Sequence, residues 1–165
     1  MEEQTAVPIK GFRRILGKIV QFMARKIPFL PGKFRVSCQR IHGVKFKDWR
    51  SVFIGENVFF DDLYPDKISV GRNVRITAGV SILTHYFDTK YQPTPSRPFR
   101  FYFGEVIIGD NVFIGINTVI AKPVKIGDGA VIGANTVITK DVPQDSIVVG
   151  SPAKIVGTRP SMLIE

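Results

Sequence analysis

The sequence predicts an all-β fold, a left-handed parallel β-helix of hexapeptide repeats with a protruding loop and an N-terminal amphipathic α-helix. Three observations predict it. First, an aliphatic or aromatic residue recurs every six positions in three blocks: Ile54 and Phe60; Val70, Ile76 and Ile82; Ile108, Ile114, Ile120, Ile126, Ile132 and Ile138. Second, the next residue is mostly small, as at Gly55, Gly71, Gly109, Gly115, Ala121, Gly127 and Gly133, and the residue four after each anchor favours Val, Thr or Ala. Third, the position three after each anchor is rich in Asn, Asp, His and Gly, which best tolerate positive φ. Neither helical nor simple strand periodicity gives a six-residue beat. A three-sided prism does, because each hexapeptide supplies one short strand and one corner, and three of them make a coil of about 18 residues.

Taken in chain order, residues 1–53 read as a basic helical segment and lead-in, and residues 54–165 as the β-helix domain with a closing segment at 144–165. Within the first part, residues 9–27 place Ile9, Phe12, Leu16, Ile19, Met23 and Ile27 on one helical stripe, with Lys10, Arg14, Lys18 and Arg25 largely opposite. Pro28 and Pro31 end that helix. Its stripe has two uses, packing on the assembly or lying in an anionic membrane interface. In the second part, the corners are expected at Asn57, Asn73, Gly79, His85, Asn111, Asn117, Pro123, Gly129, Asn135 and Asp141. Pro123 cannot take positive φ, so its corner must turn another way. The beat breaks between Ile82 and Ile108, which marks a twenty-residue loop at 87–106 with three prolines and six aromatics. That composition suits a stiff arm, expected to cover a cleft beside His85.

Charge narrows the partners. The net charge of +9 sits entirely in residues 1–50, which hold twelve Lys/Arg against three Asp/Glu, whereas residues 51–165 hold eleven of each. The basic segment therefore suits an anionic surface, and no nucleic-acid motif accompanies it. One cysteine, Cys38, excludes an intrachain disulfide. With no signal-peptide pattern and no long apolar run, the expected location is cytoplasmic, with peripheral contact at the inner face of a membrane as one use of the helix. Two histidines, His42 and His85, are too few for a three-imidazole metal site, and His42 reads as structural.

The stretches IGDNVFIGINTVI, IGDGAVIGANTVITKDVP and VVGSPAKIVGTRP, within residues 108–160, resemble the hexapeptide-repeat acyltransferases, specifically the galactoside, maltose and polysaccharide O-acetyltransferase branch. The resemblance implies a homotrimer with acetyl-CoA bound in a groove between neighbouring prisms and a catalytic histidine at the base of a protruding loop, here His85. It implies an oxyanion-stabilising peptide at Gly115–Ile116. Coenzyme contacts carry over to Phe113, Ala134, Thr139, Lys140, Lys154 and Arg159, and acceptor contacts to Asp61, Asp62 and Asp66. Three positions depart from the family pattern: Phe113 stands for the usual Trp, Pro123 for a Gly, and Gly157 for a frequent cation, which Arg159 is placed to replace.

The chemistry is consistent with that assignment. A sugar hydroxyl attacks a thioester only if a base takes its proton, and a positioned imidazole commonly contributes about 10² to 10⁴ in rate. Cys38 precedes the repeats with no base beside it in sequence, so direct transfer is expected rather than an acyl-enzyme. The implied function is O-acetylation of a sugar in a bacterial surface polysaccharide or its precursor. N-acetylation of an amino sugar or a foreign compound would use the same groups, and a non-catalytic trimeric assembly or membrane-binding module is the alternative of another class.

Overall fold

The computed structural model describes residues 12–27, 29–90, 92–94 and 99–160. Ile9, Lys10 and Pro28 of the predicted helical segment, and 91 and 95–98 of the loop, lie outside the described residues.

The repeats wind into a three-sided parallel β-helix. Face 1 stacks Lys45–Phe46, Ile68–Val70, Val106–Ile108 and Lys125–Ile126. Face 2 stacks Phe53–Ile54, Arg75–Ile76, Phe113–Ile114, Val131–Ile132 and Ser146–Val149, with Lys154–Thr158 added antiparallel at its end. Face 3 stacks Phe59–Phe60, Ser81–Ile82, Val119–Ile120 and Val137–Ile138. The register is strict, pairing Phe60 with Ile82, Ile82 with Ile120 and Ile120 with Ile138. All eleven anchors are at most 2% exposed, so the six-residue beat is the core itself.

The small residue after each anchor has a steric cause. A Cβ on Gly127 would lie 2.4 Å from the Gln144 nitrogen in the next coil, and one on Gly115 2.5 Å from that of Ala134. Stacked backbones leave no room at these corners, so Gly127→Ala is expected to cost about 1–3 kcal/mol through overpacking. The test is a urea midpoint that falls with an unchanged slope.

The three edges of the prism are not alike. Between faces 1 and 2, Asn73, Asn111 and Gly129 take positive φ, and between faces 2 and 3, Asn57, Gly79, Asn117 and Asn135 do, as the pattern predicts. His85, Pro123 and Asp141 do not, and all three belong to the edge between faces 3 and 1. That edge turns without left-handed residues, which is how Pro123 is accommodated. Its rungs also begin with Asp61, Leu83, Ala121 and Thr139 rather than glycine, so one edge of three is free to carry side-chain chemistry.

Among the described residues two helices, not one, precede the prism. The first, α1, spans Phe12–Lys26, and α2 spans Gly32–His42 in what the sequence presented as lead-in. Val36 of α2 joins the prism core beside Val44, Val52 and Ile54. Arg35 donates to the carbonyls of Ala24 and Leu30 at the end of α1 and pairs with Glu56 at 3.2 Å, a cation where the helix dipole favours one. The predicted orientation of α1 is corrected: Gly17, Val20, Gln21 and Ala24 face inward, while Leu16, Ile19 and Ile27 of the expected stripe lie exposed. The small face wins because it permits close backbone approach, and Gln21 then bonds both the N–H and the carbonyl of Phe60. Arg25, assigned to the polar side, instead lies over the Phe59 ring and donates to Asn57.

Candidate active site

Residues 61, 83, 121 and 139 stack on the edge between faces 3 and 1: the Asp61 N–H donates to the Ile82 carbonyl, that of Leu83 to Ile120 and that of Ala121 to Ile138. Successive rungs are about 4.8 Å apart. The edge therefore carries in order Asp61, then Thr84 and His85, then Lys122, then Thr139 and Lys140.

Asp61 and His85 form the chemical centre. The Asp61 carboxylate is 1% exposed and its Oδ2 lies 2.7 Å from Nδ1 of His85. The same oxygen accepts from the Thr84 N–H at 2.8 Å and from its Oγ1 at 2.7 Å, while Oδ1 accepts from the Leu63 N–H at 2.9 Å. Burial pushes the Asp61 carboxyl up, but those N–H and hydroxyl donors and the imidazole outweigh it and hold the group below the usual carboxylate range. An ionised carboxylate only accepts, so Nδ1 carries a proton, and it is Nε2 that would present the lone pair of the neutral ring. His85 opens the arm, in which His85–Phe87 pairs antiparallel with Phe101–Phe103. Phe103 stacks near the imidazole and Phe101 meets it edge-on, each at 5.8 Å, and 25% of the His85 side chain stays accessible.

The Asp61 carboxylate, expected to contact the acceptor, is buried against Thr84, Leu63 and the His85 ring. Asp62 is half-buried, accepts from Gln21 of α1 and lies 3.7 Å from Nε2 of His42. His42 is buried at the end of α2 beside Gly17; burial lowers its pKa, against the upward pull of Asp62 and Asp61. Asp66 stands exposed on the short turn Pro65–Lys67.

Two rungs beyond His85 the prism ends in a cleft of ≈ 520 Å³ lined by Thr139, Lys140 and Lys154, with Val148 and Ala153 at its apolar wall. Arg159 is not brought there, since its N–H donates to the Asp145 carbonyl on the edge between faces 1 and 2. Phe113, Gly115, Ile116 and Ala134 gather on or beside the edge between faces 2 and 3, with Phe113 and Ile116 exposed. Within one chain these groups are divided from His85 by the width of face 3, about five extended residues or ~16 Å.

Comparison with known proteins accords with this arrangement. Residues 105–140 match the family described as bacterial transferase hexapeptide (six repeats). Its repeats are similar to those of the bacterial hexapeptide transferases. Among curated proteins, YvoF of Bacillus subtilis (strain 168), named as an acetyltransferase, is 44% identical over 103 residues, 62% of this chain and 54% of its own. Protein CapG of Staphylococcus aureus is 43% identical over 112 residues, 65% of this chain and 60% of its own. The chain thus spans between half and two thirds of the length of these relatives. A solved maltose O-acetyltransferase from Clostridium difficile 630 superposes with a TM-score of 0.64 at 28% identity, covering 89% of this chain and 86% of that one.

Sequence reasoning missed Lys122, whose Nζ lies 4.5 Å over the Tyr86 ring and ties the arm to the prism. The signal was present: Lys122 falls on the one edge whose rungs lack the Gly and Asn pattern.

Proposed function

We propose that the protein transfers an acetyl group from acetyl-CoA to a sugar hydroxyl of a surface polysaccharide or its precursor, as a homotrimer of left-handed prisms. The observation that carries this is the Asp61–His85 pair, with Nδ1 on the carboxylate, on the same edge as the Thr139–Lys140–Lys154 cleft. In this reading coenzyme A runs down that edge with its phosphates at Lys140 and Lys154 and its thioester near His85. Nε2 takes the hydroxyl proton as the oxygen attacks the thioester carbonyl, and the departing thiolate then takes that proton from the imidazolium. The oxyanion accepts from the Gly115–Ile116 peptide of a neighbouring copy, because a chain cannot present that peptide to its own His85 across face 3. Phe113 and Ala134 would join the coenzyme groove in the same way.

The test is release of free thiol from acetyl-CoA on addition of sugars and amino sugars. Thiol release with hydroxyl acceptors is expected. Transfer to amines alone would move the reaction to N-acetylation, and no release with any acceptor would leave an assembly or membrane module. Lys154→Ala is expected to raise the Michaelis constant for acetyl-CoA roughly ten-fold, since it removes one charge-assisted contact, with a smaller change in turnover. An unchanged constant in steady-state kinetics would remove Lys154 from the site.

A lipid-linked precursor would place the enzyme at a membrane, and the helices support peripheral contact there. Ile15, Ile19 and Phe22 of α1, Phe29 in the connection and Phe34 and Ile41 of α2 are exposed, and residues 4–47 contain no Asp or Glu. No described helix is long and apolar enough to cross a membrane. Vesicles containing phosphatidylglycerol should cosediment the protein at low salt and release it at high salt. Equal binding to neutral vesicles would exclude the electrostatic part.

A further inference from the structure

The arm has two unlike faces. Alternation along its paired strands puts His85, Phe87 and Thr89 with Phe99, Phe101 and Phe103 on one side. The rings form an unbroken series: His85 to Phe101 at 5.8 Å, Phe101 to Phe87 at 5.9 Å and Phe87 to Phe99 at 5.5 Å. Phe101 is 44% exposed and Phe99 65%. The opposite side holds Tyr86 against Tyr102, with Asp88, Arg100 and Lys122. Among the described residues, Asp88, Arg100 and Lys122 thus lie away from the strip, while Asp61 and Tyr64 meet it only at its His85–Phe103 end.

We infer that this strip binds the acceptor, and that the acceptor is an uncharged saccharide of more than one ring. The inference rests on the acetyl-transfer reading, because it takes the hydroxyl that reacts to be the one presented to His85 Nε2. Three features select this occupant. The strip starts at the imidazole, so whatever lies on it continues from the reacting group. It is built of flat rings rather than aliphatic chains, and ring faces carry the negative side of the quadrupole, which favours the C–H faces of pyranoses. Among the described residues 85–89 and 99–103, its side of the alternation holds no Lys, Arg, Asp or Glu to match an ionic ligand. From the His85–Phe103 pair to Phe99 is about four extended residues, ~14 Å, longer than a single sugar ring.

The test compares matched monosaccharides and tetrasaccharides of the gluco, galacto and N-acetylhexosamine series as acceptors for the wild type, Phe99→Ala and Phe99→Tyr. The wild type is expected to favour the tetrasaccharide of its preferred series about ten-fold in kcat/KM, Phe99→Ala to bring that ratio near one, and Phe99→Tyr to restore it. A ratio near one in the wild type, or one unchanged by Phe99→Ala, overturns the strip while leaving acetyl transfer standing. A drop in assembly mass for Phe99→Ala, read by light scattering, also overturns it, because the strip would then be a contact between copies. Transfer to no sugar of any length overturns the inference together with the reading beneath it.

Discussion

His85→Ala is expected to lower the turnover of acetyl transfer by about 10² to 10⁴, the usual contribution of a positioned general base. The expectation follows from geometry. The imidazole is held by Asp61 at 2.7 Å and flanked by Phe101 and Phe103, yet a quarter of its side chain is open. Its removal leaves Thr139, Lys140 and Lys154 in place two rungs away, so the Michaelis constant for acetyl-CoA should stay within about three-fold, the behaviour of a group acting only in the transition state. Free coenzyme A release with saturating acceptor measures both. Turnover within ten-fold of wild type would end the role of this residue as base.

Asp61→Asn is expected to cost about 10³ to 10⁴ in turnover with little change in shape. The amide has one oxygen where the carboxylate has two: at the Oδ2 position it keeps Thr84 and Nδ1 of His85 but sets its NH₂ against the Leu63 N–H, and at the Oδ1 position it keeps Leu63 but turns its NH₂ toward Thr84 and Nδ1. The first orientation removes the negative charge that steadies the imidazolium, and the second leaves a neutral imidazole with its proton on Nε2 and no lone pair for the hydroxyl. The substitution also changes the response to acid. Because the Asp61 carboxyl lies below its usual range in the folded protein, its stabilising share is fully present above the unfolded value of about 3.9 and is lost as pH falls through the folded value. Urea midpoints taken from pH 6 downward should therefore fall less steeply below about pH 4 in Asp61→Asn than in wild type. Parallel curves would mean that Asp61 contributes nothing pH-dependent to the fold.

The prism was legible because its signal is periodic burial. Ile76, Ile114 and Ile132 sit at fixed spacing because each must point into the same narrow core, and a periodic constraint in space writes a periodic pattern in sequence. Asn73, Asn111, Asn117 and Asn135 were legible for an equally local reason, since left-handed backbone restricts residue type. His85 fitted the same corner pattern by accident of spacing, and its actual setting, a strand opening the arm, has no local mark. Asp61 was found, but its bond to His85 was not legible: twenty-four residues separate the two, and only the stacking of one rung on the next brings them together. The helices were the least legible part. A helical wheel finds the apolar side of α1 but not which side the prism meets, and Gly17 and Gln21 decided that through close approach to His42 and a fit to the backbone of Phe60.

The amino-acid sequence by itself determined the coil, its inward anchors and the residue types of two edges, because those depend on one residue's burial or backbone conformation at a time. Tertiary structure alone decided that the third edge gathers Asp61, His85, Lys122 and Lys140 in one line, that the groups on the neighbouring edge lie a full face away, and that α1 turns its large apolar side chains outward. These are relations between residues distant in the chain, fixed by which surfaces stack, and no local preference encodes them.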